Sequence, residues 1–217
     1  QEYWEKSMRD SLTGLFNREA AVESVNQYMQ GQGGTRDGAL MVIDLDNFKE
    51  INDTKGHLFG DSILTETARC IAGSVDSQDT VGRIGGDEFV VFSKQLSGRE
   101  GIMKWGRQLI EDIACLPSVK KSGIRLGCSI GAAVYPKDGA TYEQLFMKAD
   151  MALYAGKNWG KGRCVVYDSS LRPADGGKQG QGRFTDGTVI DSENGRYFVA
   201  NKVIHYVFKA LYESTDL

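Results

Sequence analysis

Two adjacent glycines followed by two acidic residues lie near the middle of the chain. Residues 83–89 read RIGGDEF, and apolar segments flank this run on both sides. Adjacent glycines permit a tight reversal of the backbone, so the run predicts a hairpin between two buried strands with Asp87 and Glu88 at its tip. Carboxylates beside flexible backbone offer oxygen ligands to a hard divalent cation and room for a phosphate to approach. An acidic Gly-Gly turn can also be only a turn, so the surrounding pattern must decide.

Composition limits the classes of protein to consider. The 217 residues are 41% hydrophobic and 25% charged, which is typical of a soluble globular domain with a small appendage. The net charge of −3 and the lack of a basic block argue against a nucleic-acid surface. Four cysteines without a CxxC pair favour buried thiols over zinc ligands or disulfides. No apolar run approaches the roughly 18 residues of a membrane span, so no membrane contact is expected from this sequence. Because the chain begins at Gln1, we interpret it as a piece of a longer protein.

The elements that must position the acidic residues alternate between helix and strand. Helices are expected at 17–30, after residue 48, at 97–115 and at 141–157, the last two opened by capping boxes at Ser97 and Thr141. Strands are expected at 38–45, on both sides of the glycine turn, at 124–135 and at 165–167. This order predicts an α+β fold, in which helices pack on a mixed sheet.

The two ends of the chain differ from its middle. Residues 1–9 are interpreted as the end of an upstream signalling helix, and the polar, glycine-rich residues 169–188 as a linker. Residues 189–217 are predicted to form an amphipathic helix on the apolar positions Val199, Val203, Ile204, Val207, Phe208 and Leu211. This helix either leads into a truncated downstream domain or packs back on the preceding one.

Four motifs together carry a family resemblance. They are DSLTGLFNR at 10–18, MVIDLDNFKEINDTKGHLFGD at 41–61, the RIGGDEF turn, and KADMALYAGK at 148–157. In this order they resemble the GGDEF family of diguanylate cyclases, which join two GTP molecules into cyclic di-GMP. The resemblance covers residues 10–168. It implies an α/β sandwich with the ferredoxin-like palm of class III nucleotidyl cyclases, a mixed central sheet flanked by helices.

The resemblance implies a metal site and a catalytic group at the ends of two strands. The implied ligands of Mg²⁺ or Mn²⁺ are Asp44, the main-chain carbonyl of Leu45, Asp87 and Glu88. Asp87 also matches the general-base position, and Glu88 the second acidic position of the motif. Arg83 matches an arginine that steadies the transition state, and its other interpretation is an exposed surface charge. Asp46 is expected to be structural, turned to the opposite face of the strand from Asp44.

The resemblance also implies how GTP would be held. Asn52 and Asp61 match the positions that read guanine, with His57 between them, and an amide and a carboxylate suit the edges of that base. Without the family, both would be interpreted as helix-boundary residues. The phosphates would lie on main-chain amides around Asn47, Phe48 and Lys49 at a helix N-terminus. Lys157 matches a phosphate-binding cation, and either Lys161 or Arg163 matches a second one.

The implied function is that of a diguanylate cyclase output domain in the bacterial cytoplasm. It would work as a homodimer, because each domain holds one GTP, within a longer protein that a membrane segment elsewhere can tether. The product-inhibition motif Arg-x-x-Asp is replaced by Asp76-Ser-Gln-Asp79, so weak product feedback is expected. The alternatives are a catalytically silent module that binds GTP or cyclic di-GMP, and a structural dimerisation module, which would leave the acidic residues unexplained.

Overall fold

The structure is a computed structural model that describes residues 8–32 and 37–171. It also describes the backbone of three short strands at Gln181–Arg183, Val189–Asp191 and Arg196–Phe198. The chain divides into two compact units, Gln1–Asp168 and Ser169–Leu217. Each unit is described by itself below. In the described part of the chain, no helix is both long enough and apolar enough to cross a membrane.

The first unit is built on a five-stranded mixed sheet. Its strands are β1 (Gly38–Asp46), β2 (Thr80–Arg83), β3 (Glu88–Ser93), β4 (Gly127–Tyr135) and β5 (Cys164–Val166). Their spatial order is β2-β3-β1-β4-β5. Strand β1 is antiparallel to both of its neighbours, and β5 is parallel to β4. The predicted mixed sheet, with the glycine turn joining two of its strands, is therefore confirmed.

Helices cover both faces of this sheet. They are α1 (Arg18–Gln32), α2 (Phe48–Lys55), α3 (His57–Gly73), α4 (Arg99–Ala114), α5 (Pro117–Ser122) and α6 (Tyr142–Asn158). Every residue of β1 is buried, which agrees with its apolar sequence and its central place in the sheet. The main core cluster lies on the face covered by α3 and α4, whereas α6 packs on β1 and β4 from the other side.

Several local predictions differ from the structure. The helix expected after residue 48 is two helices, because Gly56 adopts a φ of 86° and reverses the chain between α2 and α3. Helix α4 begins at Arg99 with Gly98 as its N-cap, so the capping box predicted at Ser97 is wrong. Thr141 is the N-cap of α6 as predicted, because the main-chain amide of Gln144 donates to its hydroxyl over 3.3 Å, but the Gln144 side chain accepts from the Ala140 amide and so does not close the capping box. Helix α5, which carries Pro117 in its first turn, was not predicted.

The second unit contains three short antiparallel strands in the order β6-β7-β8, which are Gln181–Arg183, Val189–Asp191 and Arg196–Phe198. They lie where a linker and the start of a helix were expected. The sequence offers a reason, since Val189, Ile190, Tyr197 and Phe198 are β-branched or aromatic residues that favour strands. The apolar positions of the predicted helix, from Val199 to Leu211, lie outside the described residues, as does most of the predicted upstream helix at 1–9.

Gly131 lets α6 pack directly on the backbone of β4. A Cβ atom at this position would overlap the main-chain oxygen of Ala149 and the main-chain nitrogen of Leu153. Because the obstacles are backbone atoms of a helix, no rotamer change can relieve the overlap. Helix α6 carries Lys157 in its last turn, so the fit at Gly131 also sets the height of that lysine above the sheet.

We expect Gly131→Ala to lower the free energy of unfolding by about 3 kcal/mol or more, because α6 must move away from β4. Gly101→Ala is the matched control. Gly101 lies in α4 with open space where a Cβ would be, so alanine there should leave stability unchanged or raise it by up to about 1 kcal/mol. Urea unfolding of both variants gives the measurement, and a loss below 1 kcal/mol for Gly131→Ala would contradict the argument.

Candidate active site

The glycine turn holds its two acidic residues at one edge of the sheet. Strands β2 and β3 pair from Thr80 opposite Phe92 to Arg83 opposite Phe89. Beyond them, the amides of Ile84 and Gly85 both donate to the carbonyl of Glu88, over 3.0 and 3.4 Å. A side chain at position 85 would collide with the carboxyl group of Glu88. A larger residue at position 85 would therefore force the Glu88 carboxyl group to change its position.

Three acidic residues meet at this edge. Asp44 lies directly opposite Glu88 in the pairing of β1 with β3, and the amide of Leu45 donates to the carbonyl of Asp87 over 3.2 Å. Asp44 is buried, with 9% of its surface exposed. The structure thus places Asp44, Asp87 and Glu88 at neighbouring strand ends, and it sets the amide of Leu45, not the carbonyl assigned to a metal, against Asp87.

Lys157 neutralises the centre of this acidic group. Its Nζ lies 2.8 Å from Oδ2 of Asp44. Burial raises the pKa of Asp44, and the nearby charges of Asp87 and Asp46 add to that, while Lys157 works against it. Burial opposes the charge on Lys157 too, but the ion pair with Asp44 and the charges of Glu88 and Asp87 outweigh it and raise the pKa of the lysine. In this form of the protein, a lysine ammonium therefore lies where an acidic cluster needs a cation.

These residues fit a divalent cation by their chemistry. In residues 8–32 and 37–171, no three acidic, histidine or cysteine side chains are already gathered closely enough to hold a metal by themselves. The expected set combines three such side chains, those of Asp44, Asp87 and Glu88, with the carbonyl of Leu45, so these side chains would have to move closer together to hold a metal. Its donors are all oxygen atoms, which Mg²⁺ and Mn²⁺ prefer. Asp44 already binds the ammonium group of Lys157, and a metal ion could replace this group if Lys157 moved away.

Glu88 has the most perturbed acidity of the group. Burial raises the pKa of its carboxyl to about 7, and the charges of Asp44, Asp150 and Asp87 contribute to the rise. Glu88 is therefore about half protonated near neutral pH when no additional cation is bound. A ligand or metal that brings positive charge would shift it towards the ionised form.

The positions that the sequence analysis assigned to phosphate lie at the start of α2. Asn47 precedes the helix in a left-handed conformation with a φ of 58°. The first amides of a helix have no partner within it, so they can donate to an anion. Lys49 is exposed and Phe48 is buried beneath them. The Nζ of Lys161 lies 2.7 Å from Oδ1 of Asn47. Arg163 instead donates to the carbonyl of Lys161 over 3.2 Å. Of the two basic residues, Lys161 is therefore the one that contacts the start of α2.

The positions assigned to guanine lie on α2 and α3. Oδ1 of Asn52 is buried without a hydrogen-bond partner, and Gly60 makes room for this side chain. Asp61 lines a surface cavity together with Leu12, Ser62, Thr65, Glu66 and Arg69. His57 is exposed at the first residue of α3. The sequence analysis did not assign Leu12 to this site, although Leu12 lies in the motif at 10–18 and lines the same cavity as Asp61. An orphaned buried amide oxygen is the feature expected of a group that binds a polar ligand.

Arg83 braces the glycine turn from outside. Its Nη1 lies 3.1 Å from Oδ1 of Asp10, and its Nε and Nη2 donate to the carbonyl of Gly86 over 3.2 and 2.7 Å. Arg18 holds the other side of the turn, donating from Nε and Nη2 to the carbonyl of Ile84 over 3.2 and 2.7 Å. The interpretation of Arg83 as an exposed surface charge is wrong for this form, because only 14% of its side chain is exposed.

Two other predicted positions have structural partners. Asp46 was expected on the opposite face of β1 from Asp44, which is wrong because residues two apart on a strand share a face. Its Oδ1 accepts from the Ser129 hydroxyl over 2.8 Å, and its Oδ2 accepts from the Gly162 amide over 3.0 Å. Asp79 belongs to the segment 76–79, which replaces the product-inhibition motif. Its carboxylate accepts a hydrogen bond from the main-chain amide of Lys94 over 2.9 Å.

The raised pKa of Glu88 predicts how stability depends on pH without added metal. The unfolded chain releases the Glu88 proton near its ordinary pKa of 4.5, whereas the folded protein keeps it up to about 7. The stabilisation is therefore complete below pH 4.5 and falls as pH rises through about 7. Urea unfolding in a metal chelator should show this fall for the unmodified protein, and Glu88→Gln should reduce it. Equal slopes for the two proteins between pH 5 and 7.5 would contradict the assignment.

Comparison with known proteins identifies the family to which this chain is similar. Residues 7–163 match the family model described as diguanylate cyclase, GGDEF domain. The chain is 34% identical over 172 residues to the bifunctional diguanylate cyclase/cyclic di-GMP phosphodiesterase MucR of Pseudomonas aeruginosa, covering 79% of this chain and 25% of MucR. It is 38% identical over 164 residues to the diguanylate cyclase DgcS of Shewanella oneidensis, covering 74% of this chain and 53% of DgcS. It thus corresponds to only part of each relative.

A solved structure gives the same result for the fold. The GGDEF domain of TpbB, also called YfiN, from Pseudomonas aeruginosa superposes with a TM-score of 0.68 at 30% identity. The superposition covers 75% of this chain and 96% of that domain. The mixed sheet, the acidic turn at its edge and the match over residues 7–163 therefore agree, and the chain belongs to the GGDEF family.

Proposed function

We propose that this GGDEF domain is a diguanylate cyclase that condenses two GTP molecules into cyclic di-GMP with release of two molecules of pyrophosphate. The observation that carries the proposal is the meeting of Asp44, Asp87 and Glu88 at one sheet edge beside Lys157. Such a cluster costs stability through like-charge repulsion and desolvation. Such a loss of stability is expected where the acidic residues bind a metal ion and a polyphosphate.

Each residue then has a defined task. When bound, Mg²⁺ or Mn²⁺ would neutralise the phosphates and the leaving group. Asp44, Asp87, Glu88 and the carbonyl of Leu45 would hold it. Asp87 would also accept the proton of the 3′-hydroxyl, which attacks the α-phosphorus of the second GTP as pyrophosphate leaves. Lys157 would exchange its bond to Asp44 for one to the phosphates, and Arg83 would keep the turn in place.

The nucleotide would extend from the turn to α3. The amides at Asn47, Phe48 and Lys49 would hold phosphates together with Lys161. Asn52 would use its side-chain amide, and Asp61 its carboxylate, to form hydrogen bonds with guanine. His57, at the start of α3, would contact the nucleotide between them. Leu12, which lines the Asp61 cavity, would provide an apolar surface for the base.

The reaction needs a second copy of the domain. One domain holds one GTP, so two domains must face each other as a two-fold dimer with their substrates antiparallel. We propose that residues 10–168 form this catalytic domain, in the bacterial cytoplasm where GTP is available. The remainder of the longer protein, to which this chain would correspond in part, would supply the input that favours the dimer.

The direct test is incubation of the purified protein with GTP and Mg²⁺, followed by identification of the product by mass spectrometry. We expect cyclic di-GMP and pyrophosphate, with specific activity that rises with protein concentration. Binding of GTP or cyclic di-GMP without turnover, at concentrations where the protein is dimeric, would point instead to a silent binding module.

Asp87→Asn should reduce the turnover number by at least about a hundredfold, because it removes both a metal ligand and the proton acceptor. The fold should persist, since the main-chain bond from Leu45 to the carbonyl of residue 87 does not need the carboxylate. Asp37→Asn, which neutralises an exposed acid before the opposite end of β1 from Asp44, is the control. Steady-state rates and circular dichroism give the comparison, and near-normal turnover in Asp87→Asn would refute the role of this residue.

Asp61→Ser should reduce the preference for GTP over ATP at least about tenfold, because the acceptor for the N1 and N2 hydrogens of guanine is lost. Asp53→Ser, at an exposed acid on α2, provides the matched change outside the proposed base site. The ratio of kcat/KM for the two nucleotides is the measurement. An unchanged ratio would show that Asp61 does not read the base.

A further inference from the structure

Two residues other than glycine adopt a left-handed backbone conformation in the described part of the chain. They are Asn47, with a φ of 58°, and Lys161, with a φ of 60°. Their side chains are hydrogen-bonded to each other over 2.7 Å. Asparagine tolerates this conformation, but it is unfavourable for lysine. Since such conformations persist only where the surroundings hold them, the contacts around Lys161 need an explanation.

The loop that carries Lys161 is held at both ends. Gly160 and Gly162, with φ angles of 111° and 58°, flank the lysine and let the chain turn tightly. The amide of Lys161 donates to the carbonyl of Gly156 at the end of α6 over 3.2 Å. The amide of Gly162 donates to Oδ2 of Asp46 over 3.0 Å. The second contact ties the loop to β1, beside the start of α2.

Asp46 is buried and uses both of its carboxylate oxygens to hold neighbouring groups. Only 7% of its surface is exposed, and its other oxygen accepts from the buried Ser129 hydroxyl over 2.8 Å. Because Asp46 lies directly before Asn47, one short segment sets the position of both partners in the bond between Asn47 and Lys161. A neutral hydrophobic residue would fill the same space without fixing the loop.

The resulting position leaves the Lys161 charge available. Its side-chain partner, the amide oxygen of Asn47, is uncharged, and the structure has no acidic oxygen within 4.0 Å of Nζ among the described residues. Lys157, in contrast, is paired with Asp44. An ammonium held at the first turn of a helix adds to the positive end of that helix and favours an anion.

We propose that Asp46 is a positioning residue for nucleotide binding, which fixes the 160–162 loop so that Lys161 faces the phosphates at the start of α2. The proposal rests on the proposed function only in taking these phosphates to be those of a bound nucleoside triphosphate. Asp46 itself touches neither substrate nor metal. Its effect on binding passes through Gly162 and Lys161.

The test compares the affinities for GTP and GMP, measured by calorimetry with Mg²⁺. Asp46→Asn keeps the size but removes the negative charge and leaves one acceptor oxygen for two donors, the Ser129 hydroxyl and the Gly162 N–H. We expect it to lower the preference for GTP over GMP by on the order of tenfold, as expected for loss of a charged hydrogen bond. Lys161→Met should do the same, and the double variant should be no worse than Lys161→Met alone.

Two further variants separate positioning from stability. Ser129→Ala removes the other partner of Asp46, so it should lower the melting temperature while the preference for GTP over GMP stays unchanged. Lys161→Gly removes the cation where glycine is favoured, so it should lower that preference without lowering the melting temperature. If Asp46→Asn lowers stability but keeps the wild-type preference, Asp46 is merely structural and the proposal is overturned. Additive losses in the double variant would overturn it equally.

These outcomes differ from failure of the proposed function. If the unmodified protein binds GTP but forms no cyclic di-GMP, the cyclase proposal fails while the Asp46 comparison still gives its answer. If the unmodified protein turns GTP over and Asp46→Asn binds both nucleotides as before, only the positioning role fails. Absence of any GTP binding by the unmodified protein would overturn both.

Discussion

The arrangement of this domain depends on one constraint, the repulsion between negative charges that lie close together at one edge of the sheet. Asp44, Asp87 and Glu88 occupy adjacent strand ends, and burial makes the charges of Asp44 and Glu88 harder to maintain. Two compensations are visible. Lys157 supplies a positive charge directly on Asp44, and Glu88 holds its proton to a higher pH than an exposed glutamate would. Both leave the cluster able to accept a stronger cation.

The surrounding architecture keeps these groups from moving apart. Strand β1 is buried along its whole length and carries Asp44 and Asp46 towards one face. The glycine at position 131 brings α6, and therefore Lys157, close to the sheet. The 160–162 loop then returns the chain to the start of α2. Elements distant in sequence thus reach one edge of the sheet, which is why the site depends on the whole fold rather than on the acidic turn alone.

The sequence predicted the regular parts of this arrangement well. Alternation of apolar segments with turn residues located the strands of the sheet, and the glycine pair located the hairpin because its backbone requirement is local. The contacts that finish the site were not predictable in this way. The pairing of Lys157 with Asp44, the Asp46 bond to Gly162 and the orphaned oxygen of Asn52 depend on three-dimensional packing. The error over Asp46 came from misapplied strand alternation, and the missed α5 from its shortness.

The ion pair between Asp10 and Arg83 connects the N-terminal segment of the domain to the acidic turn. Asp10 stands at the beginning of the described motif, and Arg83 links it to the carbonyl of Gly86, the residue before Asp87. Hydrogen bonds of this length tolerate shifts of only a fraction of an ångström before they weaken. A displacement of Asp10 would thus act on the turn through Arg83, and on β2 as well, because the main chain of Phe16 bonds to Val81 and Arg83.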